Sequence, residues 1–175
     1  MRRREALAGL GSLGVFGAGA AFAFGDLGLS GNEERVESVE LPQIDAPGST
    51  ADTAVVPESG RVTYVTMFAT WCSTCKAKMD PLNEAARNVA DTVQFISVTN
   101  EAIGQTVQPA DVAEWWREHD GNWPVAYDED LALTQALDAS GVPYSAVIDA
   151  NNRVTSTELG YSDAEAILNH IEDAK

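Results

Sequence analysis

The strongest constraint in this chain is a change of period at residue 72. The run VTYVTMF at residues 62–68 is dense in β-branched and aromatic side chains and continues through Ala69-Thr70-Trp71. A helical pattern then takes over across residues 76–91. Cys72 falls at the strand-to-helix turn, and Cys75 follows three positions on.

The rest of the chain continues the alternation. VQFISV at residues 93–98 reads as a second buried strand, and residues 109–119 as a helix opened by Pro109. A short strand is expected at 123–127 and a helix at 131–138 closed by Gly141. Two strands follow at 144–149 and 153–159, then a last helix to residue 174 capped by Ser162. Residues 39–57 carry short apolar alternations broken by Pro42, Pro47, Gly48 and Pro57, which suit an edge hairpin rather than a central strand. The expected fold class is α/β: a mixed central sheet flanked by helices on both faces, with an N-terminal hairpin.

Two segments precede this domain, which is assigned to residues 39–175. Residues 1–25 join Arg2, Arg3 and Arg4 to an uncharged, glycine- and alanine-rich stretch, the pattern of an export signal or membrane anchor. Arg3-Arg4-Glu5-Ala6-Leu7 resembles a twin-arginine signal, and Ala21-Phe22-Ala23 offers a small-x-small cleavage site, so removal and retention both stay open. Residues 26–38 are small, polar and acidic, a composition that reads as a flexible tether. The domain is thus expected outside the cytoplasmic membrane or secreted.

Charge excludes one class of partner. With 11 Lys and Arg against 27 Asp and Glu, the net charge is −16. Such a surface repels phosphate backbones, so no nucleic-acid partner is expected. Acidity spread along a lysine-poor chain matches a halophile-type protein bathed in molar salt, or simply an acidic exported one.

A thiol at a helix N-terminus feels the positive end of the macrodipole and unpaired N–H groups, which favour thiolate over thiol. Cys72 has that place, and Lys76 and Lys78 add positive potential over the next turns. The spacing brings the Cys75 sulfur one turn on, within reach to close a disulfide with Cys72 or to attack a mixed disulfide formed there. Half a zinc site or a structural bridge gives the same string. The only other soft donors are His119 and His170, however, which supply a tetrahedral metal site poorly.

Two longer stretches carry a resemblance: Phe68-Ala69-Thr70-Trp71-Cys72-Ser73-Thr74-Cys75-Lys76-Ala77 and Gly141-Val142-Pro143-Tyr144-Ser145-Ala146-Val147-Ile148-Asp149. Together they resemble the TlpA/ResA branch of the thioredoxin superfamily. The resemblance spans residues 39–175 and includes that branch's central insert, matched here by residues 101–128. It implies a thioredoxin-like fold and an extracytoplasmic thiol-disulfide oxidoreductase that exchanges disulfides with protein substrates, mainly as a reductase. No cofactor is implied beyond the redox-active disulfide Cys72–Cys75. A membrane thiol transporter would be the electron donor. Pro143 would be a cis-proline facing the cysteines, and the Val142 backbone would pair with substrate strands. Taken alone, Val142-Pro143 reads as an ordinary turn before a strand.

The departures from that family pattern bear on proton handling. Where a buried acid often stands six residues before the first cysteine, this chain has Thr66. Where the branch's cytochrome-maturation reductases carry a glutamate, either after the second cysteine or after the cis-proline, it has Lys78 and Tyr144. Glu101, at the end of the second strand, is the candidate proton carrier, with a solvated loop carboxylate as the alternative. Trp71 either offers a flat apolar contact to a partner or packs under the loop. Trp115, Trp116 and Trp123 read as core. A copper-binding chaperone or assembly factor on the same fold is the rival function, and an inert structural disulfide a third.

Overall fold

The structure, a computed structural model, describes residues 35–175. The segment at 1–25, expected as a signal or anchor, and most of the expected tether lie outside the described residues. The end of the tether does not. Arg35 bridges Arg153, the buried Val36 donates its N–H to the Asn152 carbonyl at 2.8 Å, and the Ser38 hydroxyl donates to the Pro57 carbonyl at 2.7 Å. Val36 gives this stretch an apolar anchor, so the folded domain begins before residue 39.

In chain order the elements are β1 (Val39–Pro42), β2 (Thr53–Val56), β3 (Thr63–Phe68), α1 (Ser73–Asn88), β4 (Gln94–Thr99) and α2 (Pro109–Glu118). They continue with β5 (Val125–Tyr127), α3 (Ala132–Ala136), β6 (Tyr144–Ile148), β7 (Val154–Leu159) and α4 (Ala164–Asp173). The hairpin β1–β2 is antiparallel. The central sheet has the order β5-β4-β3-β6-β7, with β3, β4 and β5 parallel and β6 and β7 antiparallel to their neighbours. A mixed sheet with an N-terminal hairpin, helices on both faces and a central insert is therefore what the chain forms.

β3 is the middle strand and is buried along its whole length, as a strand covered on both faces must be. Its alternation sorts side chains between two cores. Tyr64 and Phe68 join the cluster with Met79 and Leu82 of α1, Trp116 of α2 and Ile167 of α4. Val65 and Met67 join the cluster with Leu41, Val56, Leu133 and Leu137. The tryptophans of the insert belong to the first core: Trp116 is stacked edge-on to Trp123 at 4.7 Å, and Trp115 lies against Phe68 at 5.2 Å.

Three helices begin elsewhere than the sequence suggests, each through a cap. Helix α1 begins at Ser73 rather than residue 76, because the Cys72 sulfur accepts the Cys75 N–H at 3.1 Å, and it ends at Asn88. Helix α3 is shorter than 131–138. Leu131 is left-handed at φ 57°, the buried Asp128 carboxylate takes the Leu133 and Thr134 N–H groups, and Asp138 at φ 49° breaks the helix ahead of Gly141. Asp163, not Ser162, caps α4: its carboxylate accepts the Ala166 N–H at 2.8 Å, while Ser162 is buried.

Candidate active site

The turn after Phe68 is closed by the Cys72 N–H, which donates to the Ala69 carbonyl at 3.1 Å. Cys72 then serves as the N-cap of α1. An oxygen usually fills that position; here a sulfur does, and it sits at the positive end of the helix dipole. Cys72 and Cys75 form a disulfide with a Cα separation of 5.2 Å. Cys72 is 7% exposed and Cys75 2%, so a partner reaches Cys72 first. The first turn of α1 holds no acidic residue, and Lys76 is exposed there. The local field therefore favours a Cys72 thiolate once the disulfide is reduced.

The start of β6 faces this sulfur. The Val142–Pro143 bond is cis, and the Val142 carbonyl oxygen lies 3.7 Å from Cys72 Sγ. The Pro143 carbonyl accepts the Gly160 N–H at 2.7 Å, which binds this loop to the end of β7. A second cis bond, Val56–Pro57, has no counterpart among the sequence expectations. Trp71 is 76% exposed, so it does not pack under the loop; Leu159 and Tyr161, on either side of Gly160, are also exposed. Tyr144 turns away from the cysteines into the opposite core, where its hydroxyl donates to the Leu137 carbonyl at 2.8 Å.

Glu101 is bound to the loop that carries the cysteines. Its carboxylate accepts the Thr70 N–H at 2.8 Å, the Thr70 hydroxyl at 2.9 Å and the Thr99 hydroxyl at 3.1 Å. It is a strut between the end of β4 and the turn before Cys72, in contrast to a freely solvated loop carboxylate.

Under α1 lies a polar cluster that sequence reasoning found only in part. Thr66 and Ser145 are register partners on neighbouring strands and point toward the helix. Ser145 Oγ donates to Thr66 Oγ1 at 3.0 Å and accepts from Tyr64 at 3.0 Å and from Lys78 Nζ at 3.0 Å. Lys78 also donates to the Gly160 carbonyl at 3.0 Å and is almost wholly buried. Burial pulls the Lys78 ammonium below the ordinary lysine range, partly offset by Glu158, and pushes the Tyr64 phenol up. Ser145 carries no local signal, since Tyr-Ser-Ala-Val-Ile does not alternate polar with apolar and its place beside Thr66 follows from the register of β6 on β3.

The two histidines are occupied elsewhere. The His119 ring lies against Trp115 at 4.4 Å with Nδ1 on the Trp115 carbonyl, and His170 Nδ1 is 3.4 Å from Ser156 Oγ. Among the described residues, no group of three or more His, Cys, Asp or Glu side chains could hold a metal. Nor is any described helix long and apolar enough to cross a membrane.

Comparison with known proteins agrees with this geometry. The Redoxin family profile matches residues 31–174. A thiol-disulfide oxidoreductase of Bacillus subtilis, YkuV, is 27% identical over 100 residues, 57% of this chain and 68% of that one. The thiol:disulfide interchange protein DsbE of Yersinia pestis is 27% identical over 128 residues, covering 71% of this chain but 62% of that protein. Among solved structures, the exposed lipoprotein thioredoxin Etrx1 of Streptococcus pneumoniae superposes with a TM-score of 0.66 at 24% identity, over 78% of this chain and 99% of that one. That likeness establishes the fold.

Proposed function

Because the chain belongs to the Redoxin family, with a thioredoxin-like fold of the TlpA/ResA kind, we propose that it is a thiol-disulfide oxidoreductase acting on protein disulfides through Cys72 and Cys75. The observation that carries this reading is the pairing of Cys72, as sulfur cap of α1, with the Val142 carbonyl 3.7 Å away at the cis-Pro143 loop. A substrate strand laid along Val142 would bring its own sulfur to Cys72, with the exposed Trp71 as apolar contact and Lys76 adding positive potential.

In the reducing direction, which we favour, the Cys72 thiolate attacks a substrate disulfide. A Cys72–substrate disulfide forms, and the first substrate sulfur leaves as a thiolate that takes a proton from water. Cys75 then loses its proton and attacks Cys72 Sγ. The Cys72–Cys75 bond forms, the second substrate sulfur leaves and is protonated, and two electrons have passed from enzyme to substrate. No cofactor is needed beyond the cysteine pair. A membrane thiol donor would return the electrons, with the domain held or released on the outer side of the cytoplasmic membrane. The name of the exposed lipoprotein relative supports that location, as does the arginine-led N-terminal segment.

Trapping tests the function. Cys75→Ala should accumulate mixed disulfides through Cys72, and Cys72→Ser should form none. A redox titration of the pair gives the direction: a potential near the reducing end of the roughly −270 to −120 mV range supports reduction, and one near the other end supports oxidation. Tight stoichiometric copper binding by the reduced protein, with no disulfide exchange, would overturn the proposal in favour of a metal chaperone.

A further inference from the structure

Lysine is among the side chains least often fully buried, yet Lys78 is 1% exposed. It lies on α1 one turn beyond Cys75, so the two residues share a face, with Cβ atoms roughly 5–6 Å apart by helix geometry. Helical side chains lean toward the N-terminus, which turns Lys78 back toward the cysteines. Its ammonium donates to Ser145 Oγ and to the Gly160 carbonyl, each at 3.0 Å. Gly160 in turn donates to the Pro143 carbonyl at 2.7 Å, and the adjoining Val142 carbonyl faces Cys72 Sγ. A buried cation on the helix that carries Cys75 is thereby bonded to Gly160, the residue that holds the cis-Pro143 loop.

Resting on the exchange function above, we propose that Lys78 is a positioning residue whose buried charge stabilises the Cys75 thiolate and so speeds resolution of the mixed disulfide. Cys75 is itself buried, and burial alone raises a thiol's pKa above its ordinary value of about 8.5. Resolution requires this thiol to lose its proton, and neither Thr66 nor Tyr144 can accept it as a carboxylate would. An ammonium on the same face offsets the cost of burying the new negative charge. Burial weakens Lys78's own hold on its proton, and a thiolate one turn away strengthens it again, so the two charges support each other. The other titratable groups around this point are Tyr64 on β3, Glu158 on β7 and His170 on α4. Glu158 favours the charged lysine.

The measurement is the thiolate absorbance of Cys75 against pH in a Cys72→Ser protein, with the double serine variant subtracted. In that protein Cys75 should titrate at or below an ordinary thiol, in spite of its burial; a pKa clearly above about 8.5 would overturn the proposal. Adding Lys78→Met should raise the Cys75 pKa by about one unit, a tenfold loss of thiolate at a fixed pH below it. Lys78→Gln keeps a donor for Gly160 without the charge and should behave as Lys78→Met does. A Gln variant matching Lys78 would reduce the role to hydrogen bonding and sink the idea. With Cys72 restored, Lys78→Met should slow release of the second thiol from a mixed disulfide while leaving the first attack by Cys72 near its original rate. These readouts need no natural substrate, so absence of exchange in the unaltered protein would fail the function and not this inference.

Discussion

The two faces of the central sheet are both buried and mostly apolar, but they differ in the polar groups they enclose. Toward α3 and the hairpin the middle strands present the apolar Val65, Met67, Ile96, Val98, Ala146 and Ile148, with Thr63 and the Tyr144 hydroxyl polar at the strand ends. Toward α1 and α4 the same strands present Thr66, Ser97, Ser145 and the Tyr64 hydroxyl among their apolar neighbours, and Lys78 comes down to meet them. The apolar face contributes roughly 25 cal/mol for each Å² it removes from water, without regard to direction. The polar face must offer partners to the groups it buries. Tyr64 and Lys78 donate to Ser145, Ser145 to Thr66, Lys78 also to the Gly160 carbonyl, and Trp123 to Ser97. Both sides bury apolar surface, the side under the cysteines the larger cluster, but that side also holds polar groups in particular orientations.

Substitutions on each face should break the comparison in different ways. Met67→Ala should cost most, about 2–5 kcal/mol of unfolding free energy by denaturant titration, because it opens a cavity among apolar neighbours. The exchange rate per folded molecule should barely change; a large loss there would mean that the apolar face also serves the chemistry. Ser145→Ala should cost less, about 1–3 kcal/mol, by leaving Tyr64 and Lys78 each short of a partner. It should also move the Cys75 titration, which Met67→Ala should not. Asp163→Ala, outside both faces, should cost about 1 kcal/mol as a lost cap and leave the cysteines untouched.

The smallest signal is one of pH. Lys78 binds its proton less tightly folded than unfolded, where its pKa is near 10.5. Between its lowered value and 10.5 the unfolded chain therefore carries more protons, and stability rises with pH across that window. Below the lowered value the full penalty for burying the charge is present. Lys78→Met should flatten that rise when unfolding is followed at several alkaline pH values. An unchanged slope would mean that the charge is not buried in solution.

The layers of this fold were legible because period and burial are local properties. β3 and β4 stand where β-branched runs placed them, and the insert's tryptophans lie in or against the core. Cys72 and Cys75 were legible as a pair for the same reason: one turn of helix separates them. Boundaries were less so, since they depend on which side chain reaches a backbone N–H, and sulfur at Cys72 and carboxylates at Asp128 and Asp163 did so here. The Lys78 cluster was hidden more deeply. It joins residues 67 and 82 positions apart in the chain, Lys78 to Ser145 and to Gly160, and long-range hydrogen bonds leave no trace in local pattern. Glu101 shows the same limit, because its service to Thr70 depends on how the chain turns after β4 and not on its being an acid near a strand end.

The way the chain joins the domain has a practical side. Val36 docks at Asn152, in the turn after β6, and Ile148 at the end of β6 pairs with Thr63 at the start of β3. Cys72 follows the other end of β3, about six strand residues or roughly 20 Å away. A purification tag, fluorophore or surface linker placed ahead of residue 35 therefore enters at the pole remote from the sulfurs. Molecules immobilised through that end should present their disulfide to the solution, which makes it the natural handle for single-molecule or sensor work on this protein.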